Sequence, residues 1–195
     1  TKAKPMMRWW KDGRSEYHSV FLTLADSPIK TIDQVKGKVV AFEQAFSTSG
    51  YFIPRTYLAN KGFTLQEVSD PTAAVAADTI GYAFSGNADN TIQWLISKRT
   101  SVGVINNIEY NELKPETKKQ LWVLVETQPI VRAVVMFNSN LDPVLQTAII
   151  DILSTMHENP NGKNALATFD RTSKFEVLTA DEQQQLQKLY DLAKQ

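Results

Sequence analysis

Short apolar runs alternate with helix-like stretches through the first two thirds of the sequence, and this alternation constrains the fold more than any other feature. The runs "KVVAF" (Lys38 to Phe42) and "SVGVI" (Ser101 to Ile105) have the length and composition of buried strands. A helical stretch that ends at Gly62 follows the first run, and another, Asn90 to Ser97, precedes the second. Strands that alternate with helices in this way predict an α/β lobe with a largely parallel sheet.

The last third of the sequence has a different character. Two more strand-like runs, "LWVLVET" from Leu121 and "AVVMF" from Ala133, are followed mainly by helical sequence. Apolar residues recur on one helical face after Asp142-Pro143, and Thr179 with Glu182 forms a capping box before the final helical stretch. We therefore predict a mostly helical C-terminal segment.

Composition excludes several classes of protein. The 21 Lys and Arg residues balance the 21 Asp and Glu residues, which argues against nucleic-acid binding. The chain has no cysteine, and its two histidines, His18 and His157, lie far apart, so we predict neither a metal site nor a cofactor. No apolar run approaches the roughly 20 residues that span a bilayer, so we predict no membrane insertion. The first residues lack a signal-like apolar region, and we expect a soluble, mature or trimmed chain.

A cluster of hydroxyl side chains in "AFEQAFSTSGYFIP" is the clearest candidate site. Ser47, Thr48, Ser49 and Gly50 follow a predicted buried strand and precede a predicted helix. At such a turn the first N–H groups of the helix lack intrahelical partners and favour an anion, and the hydroxyls add donors. The alternative is that one of the serines merely caps the helix. Pro54 predicts that the regular helix begins at Ile53 or has a kinked first turn.

The segment "DSPIKTIDQVKGKVVAFEQAFSTSGYFIPRTYLANKGF" resembles the corresponding segment of periplasmic phosphate-, phosphite- and phosphonate-binding proteins of ABC importers. Three further segments resemble the same family in the same order, and together they extend over nearly the whole chain. They are "SEYHSVFLT", "FSGNADNTIQWLISKRTSVGVINNIEYNEL" and "FNSNLDPVLQTAIIDIL".

The resemblance implies the type II periplasmic binding fold, in which two α/β lobes joined by hinge strands close around a ligand. Residues 28–127 would complete one lobe, and residues 1–27 and 128–195 would supply hinge strands and an incomplete second lobe. The implied function is that of a non-enzymatic substrate-binding component that delivers a phosphorus oxyanion to a membrane permease from the periplasm. The alternative is a sensor domain of a membrane receptor with the same fold.

The family's ligand contacts can be carried over where the motifs match. The resemblance implies that Ser47, Thr48 and Ser49 contact the phosphoryl group. It implies that Tyr17 contacts the ligand and that Glu109 contacts an amino substituent where the ligand has one. Tyr17 could instead be a strand aromatic, and Glu109 a solvated helix residue.

Two positions depart from the family pattern. Asp89 and Asn90 stand where aminophosphonate binders have a histidine, and Asp89 could be a simple helix cap. Arg132 stands on the return strand where those binders have an acidic residue. We retain all three as candidate ligand contacts, and Arg132 favours a compact oxyanion over an aminophosphonate.

The sequence offers an enzyme only as a weak alternative. Ser47 could be written as a nucleophile, with His18 as its base and Asp89 as the orienting group. The chain has no G-x-S-x-G elbow, so we do not predict a hydrolase.

Overall fold

The computed structural model describes residues 3–192, so the two residues before and the three residues after that range lie outside the description. The strands are β1 (Ala3–Lys11), β2 (Glu16–Tyr17), β3 (Ser19–Leu24), β4 (Val39–Phe42), β5 (Thr64–Glu67), β6 (Thr79–Phe84), β7 (Val102–Asn106), β8 (Leu121–Glu126), β9 (Ile130–Val131), β10 (Val134–Asn138) and β11 (Thr172–Val177). The helices are α1 (Ile53–Asn60), α2 (Ala88–Ile96), α3 (Asn107–Glu112), α4 (Pro115–Lys118), α5 (Pro143–Thr155), α6 (Pro160–Thr168) and α7 (Ala180–Leu192).

The described chain forms two compact units. The first contains the residues up to Tyr17 and from Ile130 onward, and the second runs from His18 to Pro129. The sequence-based boundary at Pro28 left β3 outside the second unit, whereas the structure places β3 within that unit's sheet. The difference arises because β3 pairs with both β7 and β8, and these long-range partners are not visible in the local sequence.

The second unit is built on a six-stranded sheet in the order β5-β6-β4-β7-β3-β8. The four strands β5, β6, β4 and β7 run parallel to one another, while β3 is antiparallel to both of its neighbours. The prediction of a largely parallel α/β sheet is therefore confirmed. Helices α1 and α2 provide the crossovers from β4 to β5 and from β6 to β7, which are parallel strands of this sheet.

Apolar side chains cover both faces of this sheet. In β3 the side chain of Phe21 packs with Phe42 and Leu58 in one buried cluster. Its neighbours Val20 and Leu22 belong to a second cluster, as the alternation of side chains along a strand requires. A strand that is buried on both faces reads as a continuous apolar run, which is the pattern seen in "VVAF" of β4 and in the central "VFL" of β3.

The first unit has a smaller, antiparallel sheet in the order β10-β1-β11, with a short ribbon formed by β2 and β9. Its buried cluster centres on Met7, Leu166 and Phe175. Adjacent residues of β1 point to opposite faces. Trp9 packs against the Phe175 ring, whereas the Trp10 indole donates a hydrogen bond to Glu176. Trp9 is therefore a core residue.

The C-terminal helices begin where their caps predict. Asp142 accepts hydrogen bonds from the N–H groups of Val144 and Leu145 at the start of α5. Thr179 and Glu182 form the predicted reciprocal contacts before α7. Between residues 3 and 192 no helix combines the length and the apolar character needed to cross a membrane.

Candidate functional site

Three strand-to-helix turns lie side by side at one edge of the six-stranded sheet. Parallel β6, β4 and β7 are neighbours, so their carboxyl ends meet at the same edge. The helical segments that follow them are capped by Asn87, Ser47 and Asn106, respectively. Backbone hydrogen bonds join two of the turns, because the N–H groups of Ser85 and Gly86 donate at 2.8 Å to the carbonyls at the end of β4.

The hydroxyl cluster forms the turn after β4, as the sequence predicts. Residues Thr48–Phe52 make a wide π-type turn that continues directly into α1 at Ile53. Pro54 lies in the first turn of α1, and the carbonyls of Ser49 and Gly50 on the turn before it accept hydrogen bonds from Ser19 and Glu43 instead. The prediction that the regular helix begins at Ile53 is confirmed.

Ser47 caps this turn, and its hydroxyl already accepts one hydrogen bond and donates another. The Oγ atom accepts a hydrogen bond from the N–H of Gly50 at 3.0 Å. The hydroxyl donates its single proton to Oε2 of Glu43, also at 3.0 Å. Ser47 therefore acts as a helix cap and has no further proton to donate.

Thr48 and Ser49 carry the donors that remain available. Thr48 is exposed, whereas Ser49 is only 4% exposed and its carbonyl accepts a hydrogen bond from the Ser19 hydroxyl at 2.6 Å. Within residues 3–192, neither their hydroxyls nor their N–H groups have a hydrogen-bond acceptor. The next N–H groups along the turn are engaged, because those of Gly50 and Tyr51 bond to Ser47.

Gly50 lies in close contact with the side chain of Glu43. A Cβ atom at Gly50 would lie 2.3 Å from Oε2 of Glu43. The Glu43 side chain therefore occupies the space next to this glycine. The glycine therefore lets a carboxylate pack against the hydroxyl turn.

Glu43 and Glu109 form a carboxyl pair beside the turn. Glu43 follows β4 directly, and its Oε1 atom is buried without a hydrogen-bond partner in the described part of the chain. Glu109 lies in the first turn of α3, where its carboxylate accepts a hydrogen bond from the Asn106 amide at 2.7 Å. Burial, followed by the charge of Glu43 and a hydrogen bond with it, raises the pKa of Glu109 to about 7.

Glu43 is the residue that the sequence analysis missed. A signal was present, because a charged residue stands directly after the fully buried run "VVAF" and four residues before Ser47. Charged side chains next to buried strands are usually paired or functional.

Asp89 and Asn90 lie in the first turn of α2. The cap is Asn87, whose side chain accepts a hydrogen bond from the N–H of Asn90 at 2.8 Å. The helix therefore begins two residues before the predicted Asn90, and Asp89 is not its cap. The amide of Asn90 donates to the carbonyl of Ser85 at 2.8 Å and braces the turn. Asp89 is exposed and lines a cavity of about 300 Å³ together with Glu109 and Glu112.

Tyr17 and Arg132 belong to the first unit. Tyr17 pairs with Ile130 in the ribbon of β2 and β9. The Nη1 atom of Arg132 donates to the carbonyl of Lys11 at 3.2 Å and lies 4.0 Å from the Asp12 carboxylate. These contacts anchor Arg132 within its own unit, and ligand contact by Tyr17 and Arg132 remains a prediction.

The structure does not assemble the alternative hydrolase trio. Ser47 donates to Glu43, and the Nε2 atom of His18 lies 3.1 Å from the Glu126 carboxylate. Each of these two side chains bonds to a different carboxylate, so within the described residues His18 does not act as the base of Ser47. No group of three or more histidine and acidic side chains that could hold a metal occurs in the described range.

Comparison with solved structures identifies similar folds. XAC2383 from Xanthomonas citri, solved with ATP, is 26% identical, with a TM-score of 0.89, 98% of this chain covered and 71% of that one. PhnD1 from Prochlorococcus marinus, solved with methylphosphonate, is 17% identical, with a TM-score of 0.60 and coverages of 98% and 72%. A binding protein component of an ABC phosphonate transporter from Pseudomonas aeruginosa is 20% identical, with a TM-score of 0.59 and coverages of 96% and 61%.

The Prochlorococcus and Pseudomonas structures have lower sequence identity, so their similarity shows only that this chain has the type II periplasmic binding fold. A search of curated proteins found no match. The family described as "ABC transporter, phosphonate, periplasmic substrate-binding protein" matches residues 1–183, nearly the whole chain. This match confirms the resemblance predicted from the four sequence segments, and the chain belongs to the family of periplasmic substrate-binding proteins of phosphonate ABC transporters.

Proposed function

We propose that this protein binds a phosphorus oxyanion at the turn formed by Ser47, Thr48 and Ser49. One observation carries the proposal: the hydroxyls and N–H groups of Thr48 and Ser49 have no hydrogen-bond acceptor among the described residues. These groups lie at the carboxyl end of a central parallel strand, where ligands bind in such sheets. In a chain of this family, four adjacent donors without an acceptor are suited to the oxygens of a phosphoryl group.

The helix behind the turn supports anion binding. The π-type turn Thr48–Phe52 and α1 form one continuous helical segment that ends at Asn60. Its dipole places partial positive charge on the N–H groups of Thr48 and Ser49. A charge-assisted hydrogen bond to an ionised oxygen is about twice as strong as a neutral one. Recognition is therefore local and does not need a net positive charge on the chain.

The proposed ligand is a compact phosphorus oxyanion such as phosphate, phosphite or methylphosphonate. The Prochlorococcus structure holds methylphosphonate and the Xanthomonas structure holds ATP, and these two ligands share a phosphoryl group. Arg132 favours a compact anion because it replaces an acidic residue that would help hold a ligand ammonium. Glu109 favours the opposite ligand, an aminophosphonate, so a ligand panel must include both kinds.

The proposed partner is the membrane permease of an ABC importer, and the proposed location is the periplasm. Both follow from the family, whose members are periplasmic substrate-binding components of transporters. The protein would accordingly bind and deliver its ligand without changing it. Incubation with phosphate esters and phosphonates should release no phosphate, and turnover that Ser47→Ala abolishes would contradict this.

Calorimetry of the full-length protein tests the proposal. The panel is phosphate, phosphite, methylphosphonate, 2-aminoethylphosphonate and ATP, with sulfate as a tetrahedral anion that lacks phosphorus. We expect the three compact phosphorus anions to bind more tightly than 2-aminoethylphosphonate and sulfate. Arg132→Ala should weaken the compact anions most. Glu109-dependent binding of 2-aminoethylphosphonate with negligible affinity for the compact anions would contradict the ligand class but not the site.

A further inference from the structure

One hydrogen bond in the proposed site has the wrong direction for anion binding. The Ser47 hydroxyl donates to Glu43, so the lone pairs of its oxygen, and not its proton, are what an approaching oxyanion would meet. The bond from the Gly50 N–H occupies one of those lone pairs. Ser47 can donate to an anion only if Glu43 stops accepting its proton.

Glu109 can supply the proton that makes this change. Glu43 directly follows β4 and Glu109 lies in the first helical turn after β7, and these neighbouring parallel strands bring the two residues to the same edge of the sheet. The charged groups that act most strongly on Glu109, Glu43 and Glu112, are both carboxylates. Asp89, a further acidic residue, lines the same cavity as Glu109. Two ionised carboxylates in contact repel each other, so such a pair retains one proton at a higher pH than a separate carboxyl would.

We propose that Glu43 is a positioning residue of the anion site, and that a proton shared with Glu109 reverses the hydrogen bond between Glu43 and Ser47. This inference rests on the proposed function. The proton comes from solvent to the pair and moves to Oε2 of Glu43, which then donates to the Ser47 oxygen. Ser47 keeps the bond from Gly50 and turns its own proton to the bound oxyanion. No covalent bond other than the O–H bonds changes, and the protein takes up one proton as it binds the anion at high pH.

The proposal predicts the pH range of the effect. With the pKa of Glu109 raised to about 7, the protonated fraction of the pair falls about tenfold between pH 6 and pH 8. The affinity of the wild-type protein for methylphosphonate should fall by about the same factor, apart from the ligand's own titration. Calorimetry in two buffers of different ionisation enthalpy counts the protons taken up on binding.

Two isosteric variants separate the proposal from simple charge repulsion. In Glu43→Gln the amide donates to Ser47 at every pH, so binding should be tight and should follow only the titration of the ligand. In Glu109→Gln the source of the proton is lost and Glu43 stays ionised. The affinity of this variant for methylphosphonate should also follow only the titration of the ligand, but it should be about tenfold lower than that of Glu43→Gln. Glu116→Gln removes an exposed charge of the same sign from α4, away from the groups that act on Glu109, and should keep the wild-type pH profile. The ligand's own titration is common to all four proteins.

Simple repulsion predicts instead that Glu43→Gln and Glu109→Gln both bind methylphosphonate more tightly. That result would overturn the inference, as would a wild-type pH profile that matches the profile of Glu43→Gln. A ligand-free readout is the infrared band of a protonated carboxyl, which should be present at pH 6, fade by pH 8 and be missing from Glu109→Gln. If that band is missing from the wild-type protein, the inference fails even where methylphosphonate binds. If the wild-type protein binds no phosphorus anion at either pH, the proposed function fails and the inference with it.

Discussion

The second unit covers both faces of its six-stranded sheet, whereas the first unit leaves large apolar side chains exposed around a three-stranded sheet. The second unit exposes two such side chains within the described range, Phe46 and Trp122. The first unit exposes seven: Met136, Val144, Leu145, Ile152, Phe169, Val177 and Tyr190. The candidate anion turn therefore lies in the unit that buries its own core, and that core holds β4 and its turn in place.

The largest expected difference between the units is in the response to removing an apolar side chain. Phe42 ends β4, is fully buried and contacts the rings of Tyr51 and Tyr82. Phe42→Ala should lower the free energy of unfolding by about 3–5 kcal/mol, because it leaves a cavity as well as exposing apolar surface. Val144 of the first unit is 78% exposed, and Val144→Ala should change stability by less than about 0.5 kcal/mol.

Urea unfolding monitored by circular dichroism measures both changes. Since β4 carries the anion turn, Phe42→Ala should also weaken methylphosphonate binding. The comparison between the units would be wrong if Val144→Ala destabilised the protein as much as Phe42→Ala does.

Local sequence predicted several elements of the two units because their signals are local, but it did not predict β5, β6 or β11. Continuous apolar runs predicted β4 and β7, and the pair Asp142-Pro143 predicted the start of α5. The placement of β3 in the second unit was not predictable from local sequence, since it depends on pairing with residues 85 and 106 positions away, as the registers Val20↔Ile105 and Val20↔Glu126 show.

The candidate site could be predicted in position but not in detail. The run of hydroxyls predicted the turn, and the structure places it at the end of β4. The sequence could not show that the Ser47 proton is used by Glu43, because hydroxyl orientation depends on three-dimensional neighbours. The pair of Glu43 and Glu109 joins residues 66 positions apart, which no local pattern could reveal.

The next largest effect should be on anion binding by the second unit. Thr48→Ala and Ser49→Ala each remove one hydroxyl donor, and each should weaken methylphosphonate binding by about 1–3 kcal/mol if the hydroxyl bonds an ionised oxygen. The matched control is Thr147→Ala in the first unit, where the hydroxyl bonds only to the Pro143 carbonyl of its own helix. Calorimetry measures all three variants, and unchanged affinity in a Thr48→Ala, Ser49→Ala double variant would remove this turn from the site.

The two units should also differ in how they change the stability of the protein with pH, and this effect should be smaller. The pKa of Glu109 is raised from its ordinary value of 4.5 to about 7, so the folded protein binds more protons than the unfolded chain between these values. Stability should therefore fall as pH rises from about 4.5 to about 7 and then stay level. Glu109→Gln should raise the free energy of unfolding at pH 8 by roughly 1–2 kcal/mol, less than the full pKa difference implies because the carboxyl is partly exposed.

The contrast for this prediction comes from Glu176 in the first unit. The hydrogen bonds from Trp10, Arg8 and Lys174 outweigh burial and lower the pKa of Glu176. Its contribution to stability is present above the ordinary carboxyl pKa and is lost as the pH falls. Glu176→Gln should therefore destabilise the protein at pH 8, opposite in sign to Glu109→Gln. Denaturant titrations at pH 4, 6 and 8 measure the free energy of unfolding of both variants. If both variants were stabilised or both destabilised at pH 8, the opposite pKa directions of Glu109 and Glu176 would be refuted.

The smallest expected effect concerns two helix caps, one in each unit. Asn87 caps α2 beside the candidate site, and Asp142 caps α5 in the first unit. Removing either cap with alanine should cost about 1 kcal/mol of stability, since each side chain accepts a hydrogen bond from a first-turn N–H group that would otherwise lack a partner.

The two variants should differ in ligand binding. Asn87 lines the same cavity as Asp89 and Glu109, so Asn87→Ala should also weaken methylphosphonate binding by a few fold, whereas Asp142→Ala should leave the affinity unchanged. Thermal unfolding and calorimetry on the same preparations separate the two effects. An equal loss of affinity in both variants would mean that Asn87 affects ligand binding only through the overall stability of the protein.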